Sequence, residues 1–411
     1  MMSDYLNSHP GLNRNEITRI VYGVTRKEKL IEYISSRFIN RKFKKIDKDI
    51  RILLLIGIFL IQFSDSYPDY AVVNEIVGLT SDKRAGGFLN AVLRKISREH
   101  EEINKIINNI EDPMIKYSIS EEIYYNLDLI TSDIDGTLEY LDSEPVFHVR
   151  INKKDIDPEK VKESFTKNNI PYKIINQTGL FEIENAGQVV RTILPEHEIY
   201  FQNTGSFAVS AVTSSFAGES ILDCCAAPGT KTLTLSQLCP ESQIVASDIN
   251  PNRLKLIIPY INNSGRQNIE LVTGDICSPP VKNVFNTVLI DAPCSSSGTL
   301  RKNPDLKSKI NHENIERNSI RQMEILKSVM SWVNPGTTII YAVCSFIQNE
   351  TEIVLKDSIG NFRSDEFEIL EAGNILQKFN FRSKKGEFGI FLLPDGELNN
   401  DLFYISVIRK K

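Results

Sequence analysis

Two cysteines, each preceded by an apolar run, are the side chains in this sequence best suited to chemistry. Cys294 closes an Asp-Ala-Pro-Cys run at 291–294, and Cys344 lies in an Ala-Val-Cys-Ser run at 342–345. A thiolate is a strong nucleophile, so two thiols beside Asp291 indicate covalent catalysis. A single cysteine is more often a small buried hydrophobic residue. Three other cysteines fit that role: Cys224, Cys239 and Cys277.

Acidic residues follow successive apolar runs, at the points where strands of a parallel sheet would end. They are Asp223, Asp248, Asp275 and Asp291. One such aspartate is usually only a helix cap. Four in succession, together with Cys344, favour one shared pocket, because ligands of open α/β sheets bind beyond the carboxyl ends of the strands.

The turn after the first of these runs is rich in small residues and reads Asp-Cys-Cys-Ala-Ala-Pro-Gly-Thr-Lys at 223–231. It matches neither the G-x-G-x-x-G dinucleotide fingerprint nor a P-loop. A nucleoside ligand without a pyrophosphate fits better, with Asp248 accepting from a ribose diol and Asp275 taking an adenine amino group. S-adenosylmethionine is the common ligand of this kind. We expect it to contact Asp248, Asp275, Asp291 and these turn residues: Cys225, Ala226, Ala227, Pro228, Gly229, Thr230 and Lys231.

The elements that would position these residues alternate between strand and helix from about residue 200. Helices are predicted from Lys231, over 252–263 and near 314–333. Apolar strands are predicted at 220–223, 243–247, 269–273, 286–290 and 338–343. Strands separated by helices imply a doubly wound, mostly parallel sheet. We therefore predict a Rossmann-like α/β domain over 201–411.

Two further regions precede that domain. Up to about residue 135 apolar residues recur at helical spacing, which predicts an all-α domain over 1–135 with an apolar helix over 49–63. Between 140 and 200, a strand at 147–151, a helix over 157–168 and two more strands predict a small α+β insert without visible chemistry.

Composition limits the classes of protein to consider. A length of 411 residues allows two or three domains, and 41% hydrophobic residues exclude wholesale disorder. Six cysteines without a C-x-x-C pair argue against a zinc site and a disulfide scaffold, so we expect no metal. No secretory leader is visible, and the longest apolar run has about half the length of a bilayer span. These features predict a cytoplasmic protein.

The net charge of −5 hides an uneven distribution. Residues 1–98 hold 17 Lys and Arg against 10 Asp and Glu, whereas residues 99–149 hold 2 against 13. The basic block indicates a face that binds nucleic-acid phosphates, although solvated helix faces would give the same count. Arg301 and Lys302, beside the predicted pocket, could add phosphate contacts.

Runs along nearly the whole chain resemble one enzyme family. Three C-terminal regions resemble the RNA cytosine-5 methyltransferases of the Nol1/Nop2/Sun type: 223–231, 291–306 and 342–352. Two N-terminal runs are similar to the NusB-like domain of the bacterial RsmB/Sun branch of that family: 68–75 and 87–94. Enzymes of this branch methylate a cytosine in small-subunit (16S) ribosomal RNA.

The resemblance implies the cofactor, the partner and the roles of three residues. It implies S-adenosylmethionine as methyl donor, 16S ribosomal RNA as substrate, an RNA-binding N-terminal domain, and a monomer. It makes Cys344 the nucleophile, gives Cys294 a part in product release, and places Asp291 at the ring edge near nitrogen 3. The residues alone do not separate the two thiols, because DNA cytosine methyltransferases use a Pro-Cys thiol as nucleophile.

Two other classes of function remain open from the residues themselves. The first is a non-catalytic RNA-binding or ribosome-assembly factor that keeps the methyltransferase fold as a scaffold. The intact cysteines and strand-end aspartates argue against it, because a scaffold would not need them. The second is a small-molecule methyltransferase, which has no use for paired thiols or for an RNA-type N-terminal domain.

Overall fold

The computed structural model describes residues 5–6, 8–9, 11–40, 42–152, 157–175, 178–183, 190, 193–194, 197–279, 285–363 and 365–411. The chain divides into two compact units. One is Met1–Tyr125 with Asn303–Lys307, and the other is Asn126–Lys302 with Ser308–Lys411. Several parts of the predicted insert lie outside the described residues: 153–156, 176–177, 184–189, 191–192 and 195–196. The division at 1–135, 140–200 and 201–411 stays a prediction.

The first unit is helical, as predicted. Its helices α1 to α7 are Arg14–Arg26, Glu28–Ser36, Lys48–Gln62, Asp69–Gly78, Lys83–Arg98, His100–Asn108 and Pro113–Lys116, and α8, Glu121–Ile130, crosses the boundary between the units. Helix α3 confirms the predicted apolar helix to within one residue at each end. Asp47 caps it by accepting hydrogen bonds from the backbone N–H groups of Asp49 and Ile50. Leu54 and Ile58 of α3 are fully buried in the core of this unit.

The second unit begins with helix α9, Ile134–Asp142, and a small antiparallel sheet. The four strands lie in the order β2-β3-β1-β4. They are β1 Phe147–Ile151, β2 Tyr172–Ile175, β3 Leu180–Ile183 and β4 Ile199–Phe201, and helix α10, Pro158–Lys167, follows β1 in the chain. Phe165 of α10 is fully buried against Val149 and Ile183. The predicted strands and helix of the α+β insert are therefore confirmed.

A nine-stranded sheet with a parallel centre forms the rest of this unit. The central strands are β5 Ser220–Asp223, β6 Gln243–Asp248, β7 Ile269–Thr273, β8 Thr287–Asp291 and β9 Thr338–Val343. They are parallel and lie in the order β9-β8-β5-β6-β7. The chain runs outward from β5 to β7 and returns to the other side of β5 for β8, so the topological switch point lies between β5 and β8. The predicted mostly parallel sheet is confirmed.

Helices cover this sheet and connect its strands. They are α11 Thr204–Ser215, α12 Thr230–Leu238, α13 Pro251–Leu254, α14 Ile258–Ser264, α15 His312–Trp332, α16 Glu352–Ile359 and α17 Gly373–Lys378. The single helix predicted over 252–263 is wrong, because a 3-10 turn at Lys255–Ile257 separates α13 from α14. Pro259 at the start of α14 has no N–H to donate, which breaks a continuous α-helical ladder.

Four antiparallel strands extend the sheet beyond β9. They are β10 Phe367–Leu370, β11 Ser383–Lys385, β12 Ile390–Leu392 and β13 Phe403–Lys410, with β13 beside β9. These strands were not predicted from the sequence, since two of them have only three residues each and show no usable periodicity. In the part of the chain that the structure describes, no helix has both the length and the apolar character needed to cross a membrane.

Candidate active site

The sheet gathers the predicted acidic and thiol side chains along one edge. Asp223, Asp248 and Asp291 end β5, β6 and β8, and Cys344 directly follows β9. A cavity of about 340 Å³ opens there, beside the topological switch point. Its lining includes most of the predicted chemistry: Cys225, Ala227, Asp248, Asp275, Asp291, Cys294 and Cys344.

The turn between β5 and α12 is held closely against β6. The N–H groups of Ala226 and Ala227 donate to Ser247 O at 3.0 Å and to Asp248 Oδ2 at 3.1 Å. Gly229 has φ +105°, and a Cβ there would lie 2.3 Å from Ile257 Cδ1, so this position requires glycine. Ala226, Pro228, Gly229, Thr230 and Lys231 do not line the cavity themselves.

Asp248 and Asp275 present carboxylates to the same cavity: Asp248 ends β6, and Asp275 follows the neighbouring strand β7. Asp248 is 5% exposed, and its Oδ1 accepts from Asn250 N–H at 2.8 Å. Asp275 Oδ1 accepts from Cys277 N–H and from Arg321 Nη2, both at 3.0 Å. These two contacts hold the pKa of Asp275 below its ordinary range, against the opposing effect of burial. Both groups are therefore fixed acceptors that a ligand with hydroxyl or amino donors could use.

Asp291 forms an ion pair with Lys231 across the sheet edge. Lys231 Nζ lies 2.6 Å from Asp291 Oδ2 and 5.4 Å from the centre of the Phe403 ring. Burial lowers the pKa of Lys231, but the Asp291 charge and hydrogen bond outweigh that effect and the pKa is raised. Lys231 thus stays cationic and fixes Asp291 at the rim, although it lies outside the cavity lining.

The two predicted catalytic thiols are in contact. Cys294 Sγ lies 3.4 Å from Cys344 Sγ, because adjacent strands β8 and β9 place the Cys294 loop (292–298) against the Cys344 loop (344–350). A hydrogen bond from the Cys294 thiol lowers the pKa of Cys344 despite burial. The same contact, with burial, raises the pKa of Cys294. These two directions make Cys344 the thiol of the pair that more readily forms a thiolate.

Ser296 is a site residue that the sequence analysis missed. It has φ +57°, a left-handed conformation uncommon outside glycine, and its Oγ lies 3.5 Å from Cys344 Sγ. This contact helps to lower the pKa of Cys344. The surrounding Ser-Ser-Ser-Gly run is a turn signal, but it does not indicate which serine faces the thiol.

Arg321 was also missed, since it lies on α15, remote in sequence from the strand ends it faces. It lines the cavity and pairs with Asp275 and with Glu324 of its own helix. Cys277, expected to be simple packing, is only partly buried and accepts from Arg321 Nη1 at 3.4 Å. Cys224 and Cys239 are buried, as expected, although Cys224 also borders the cavity.

Arg301 and Lys302 are the two cations expected to contact phosphate. Arg301 is 8% exposed, and its guanidinium donates to Glu144 O at 2.6 and 3.1 Å and to Asn399 Oδ1 at 2.8 Å. Lys302 pairs with Asp401 at 3.0 Å. Both cations are engaged within the second unit; the expectation is wrong for the buried Arg301, whereas for the partly exposed Lys302 it stays a prediction.

Comparisons with known proteins identify similar sequences for both ends of the chain. Residues 213–409 match the model of a family described as 16S rRNA methyltransferase RsmB/F, and residues 3–98 match the NusB family. A ribosomal RNA small subunit methyltransferase B from Pasteurella multocida (strain Pm70) is 25% identical over 410 residues, covering 96% of this chain and 87% of the relative.

Solved structures share the fold. The crystal structure of PH0851 matches with a TM-score of 0.72 and 20% identity, over 99% of this chain and 93% of that one. A methyltransferase homologue from Pyrococcus horikoshii matches with a TM-score of 0.58 and 22% identity, over 73% of this chain and 98% of that one. At these identities the likeness shows the architecture alone.

Proposed function

We propose that this chain, which matches the RsmB/F methyltransferase model over 213–409 and the NusB model over 3–98, methylates carbon 5 of a cytosine in 16S ribosomal RNA through a covalent cysteine adduct. The observation that carries this proposal is the contact between Cys294 and Cys344 at the rim of the cavity. A small-molecule methyltransferase would have no use for two thiols, one poised to lose its proton and the other to keep it. With ribosomal RNA as substrate, the place of action is the cytoplasm.

The chemistry of cytosine explains why a thiolate is needed. Carbon 5 is a poor nucleophile, and a thiolate that adds to carbon 6 makes it enamine-like and able to accept a methyl group. The adduct must then lose the carbon-5 proton and expel the thiolate. We assign the addition to Cys344, whose pKa is lowered, and a part in release to Cys294, whose pKa is raised. Asp291 would hydrogen-bond the ring edge near nitrogen 3.

S-adenosylmethionine fits the residues of the cavity. It supplies an electrophilic methyl group when bound. Asp248 and Asp275 offer carboxylate oxygens to its ribose hydroxyl and adenine amino groups, and Cys225 and Ala227 of the turn line the same cavity. The same cavity is lined by the thiols, so donor and target base would meet in one space.

The target base must be unstacked before a thiolate reaches carbon 6, which costs a few kcal/mol and is cheapest in a loop. The basic block at 1–98 would contribute phosphate contacts, which make binding sensitive to salt. Lys42, Lys44, Lys45 and Lys48 are exposed and suit that role.

Two alanine variants test the covalent step. Cys344→Ala cannot form the adduct and should neither methylate ribosomal RNA nor cross-link to it. Cys294→Ala should still form the adduct and then stall as a protein–RNA complex that survives a denaturing gel and disappears on RNase treatment. Cys239→Ala, a buried thiol in the core of this unit, is the matched control and should behave as wild type.

Two outcomes would contradict these assignments. Trapping in Cys344→Ala and none in Cys294→Ala would exchange the two roles. No trapping in either variant, with methylation retained and only about 1 kcal/mol of stability lost, would show that both thiols serve packing alone. Bisulfite sequencing of ribosomal RNA from cells with and without the protein would identify the methylated base.

A further inference from the structure

Glu350 carries a buried carboxylate beside the cysteine pair, and the proposed reaction gives it no role. It ends the 3-10 turn Gln348–Glu350 within the Cys344 loop, and it is 0% exposed. Burial of a carboxylate is costly unless hydrogen-bond donors surround it. The donors around Glu350 therefore indicate what it holds in place.

Four donors surround this carboxylate. Ser295 donates to it twice, from its N–H at 2.7 Å and its hydroxyl at 2.6 Å. The Ser345 hydroxyl donates at 2.5 Å, and Asn318 Nδ2 of helix α15 donates at 3.0 Å. An ionised carboxylate only accepts hydrogen bonds, so this set suits the charged form of the side chain.

These donors come from both loops that carry the thiols. Ser295 directly follows Cys294, and Ser345 directly follows Cys344. Gly298 N–H also donates to Cys344 O at 2.9 Å, which joins the two loops further from the carboxylate. Glu350 is thus the single side chain, among the described residues, that accepts from both residues next to the thiols.

The charge of Glu350 acts on the pair as well. The four donor groups around the Glu350 carboxylate are neutral, and no described Lys, Arg or His forms an ion pair with it. After the hydrogen bond to Cys344, burial and the Cys344 charge, the Glu350 charge is a further and smaller cause of the raised pKa of Cys294. Asp291 and Lys231 face Cys344 and act on its pKa in opposite directions. Tyr341, whose pKa burial raises, donates to Glu350 O at 2.8 Å.

We propose that Glu350 is a positioning residue of the cysteine pair. Through Ser295 and Ser345 its carboxylate joins the Cys294 loop to the Cys344 loop and so sets the contact between the two thiols, and its negative charge disfavours a thiolate on Cys294. The inference rests on the proposed function for the use of the pair in catalysis. The proton distribution itself is a property of the protein without RNA or cofactor, and it is measured in that state.

Glu350→Gln tests the charge with little change in shape. The amide keeps an oxygen for Ser295 N–H and Asn318, and the two serine hydroxyls can turn to accept from its nitrogen. Iodoacetamide alkylation of each cysteine in the full-length protein, followed by peptide mass spectrometry across a pH series, reports the two thiolates separately. Alkylation of Cys294 near pH 8 should rise by about tenfold, because a neighbouring like charge has been removed. The ratio of Cys344 alkylation to Cys294 alkylation should fall accordingly.

Glu352→Gln is the matched control. Its carboxylate accepts from the N–H groups of Glu387 and Phe388 at 3.1 and 2.9 Å, away from the cysteine loops. Its alkylation profile should equal that of the wild type. An unchanged profile in folded Glu350→Gln would overturn the proposal, and so would equal changes in both variants, since these would reflect general loosening.

Cys344→Ser keeps the proposal testable if Glu350→Gln does not fold. Cys294 then lacks its thiol partner but still faces Glu350, so its alkylation near pH 8 should stay slower than that of an exposed cysteine. Alkylation as fast as that of an exposed cysteine would overturn the proposal. None of these measurements involves methylation, so failure of the proposed reaction and failure of the Glu350 assignment are separate results.

Discussion

Replacing Asp223 by asparagine should change how the stability of the second unit depends on pH. Asp223 is fully buried at the end of β5, where Oδ2 accepts from Thr232 Oγ1 at 2.7 Å and Oδ1 has no partner among the described residues. Burial is the main cause that raises its pKa from an ordinary value of 3.8 to about 7, and the Asp291 charge adds to it. Ionising this group in the folded protein is therefore costly.

The sign follows from where the proton binds more tightly. The Asp223 carboxyl group has a higher pKa in the folded protein than in the unfolded chain. Its protonated form therefore stabilises the fold fully below pH 3.8, and this stabilisation is lost as the pH rises to about 7. Integrating the linkage relation from pH 5 to pH 8 shows that the free energy of unfolding of the wild type falls by about 2.5 kcal/mol. Asp223→Asn has no titrating group there and escapes this loss. Its pH-independent packing cost cancels when the two pH values are compared.

Urea denaturation followed by tryptophan fluorescence measures this difference. Trp332, the only tryptophan, lies on α15 and reports on the second unit. The free energy of unfolding of Asp223→Asn, taken relative to that of the wild type, should increase by about 2.5 kcal/mol from pH 5 to pH 8 and then level off. Thr232→Val removes the hydroxyl that donates to Asp223 Oδ2 and so raises the pKa of Asp223 further. The free energy of unfolding of this variant should therefore fall more steeply with pH than that of the wild type. A difference between Asp223→Asn and wild type that stays constant with pH would refute the reasoning.

Three further predictions concern cofactor binding, RNA binding and a buried arginine. Asp248→Ala should weaken the binding of S-adenosylmethionine, measured by calorimetry, by about tenfold or more, because it removes a carboxylate that also accepts from Ala227 N–H. Undiminished affinity would show that Asp248 is not part of the site. Lys44→Glu, in the basic block, should reduce the slope of log affinity against log salt for ribosomal RNA by about one, because one phosphate contact is lost. Arg301→Met should lower thermal stability but leave that slope unchanged, because Arg301 is held by Glu144 and Asn399; a reduced slope would contradict this role.

The sequence by itself determined the central sheet and the position of its acidic strand ends. Apolar runs followed by Asp223, Asp248 and Asp291 are local signals, since a buried parallel strand must be continuously apolar and its carboxyl end is where polar ligands bind. The five predicted strands of the parallel centre are all present. The apolar helix α3 was equally predictable, because its second half is almost entirely buried and leaves a continuous run of hydrophobic residues.

Tertiary structure alone decided which side chains meet. The thiol contact depends on β8 and β9 being neighbours, a pairing between residues 50 positions apart in the chain. Arg321 reaches Asp275, and Arg301 is buried against Glu144, by packing that no local pattern encodes. The short antiparallel strands around β13 depend on pairing with β9 and with each other. Local sequence specifies periodicity and turns, whereas proton distribution and ion pairing depend on distances that exist only after the chain has folded.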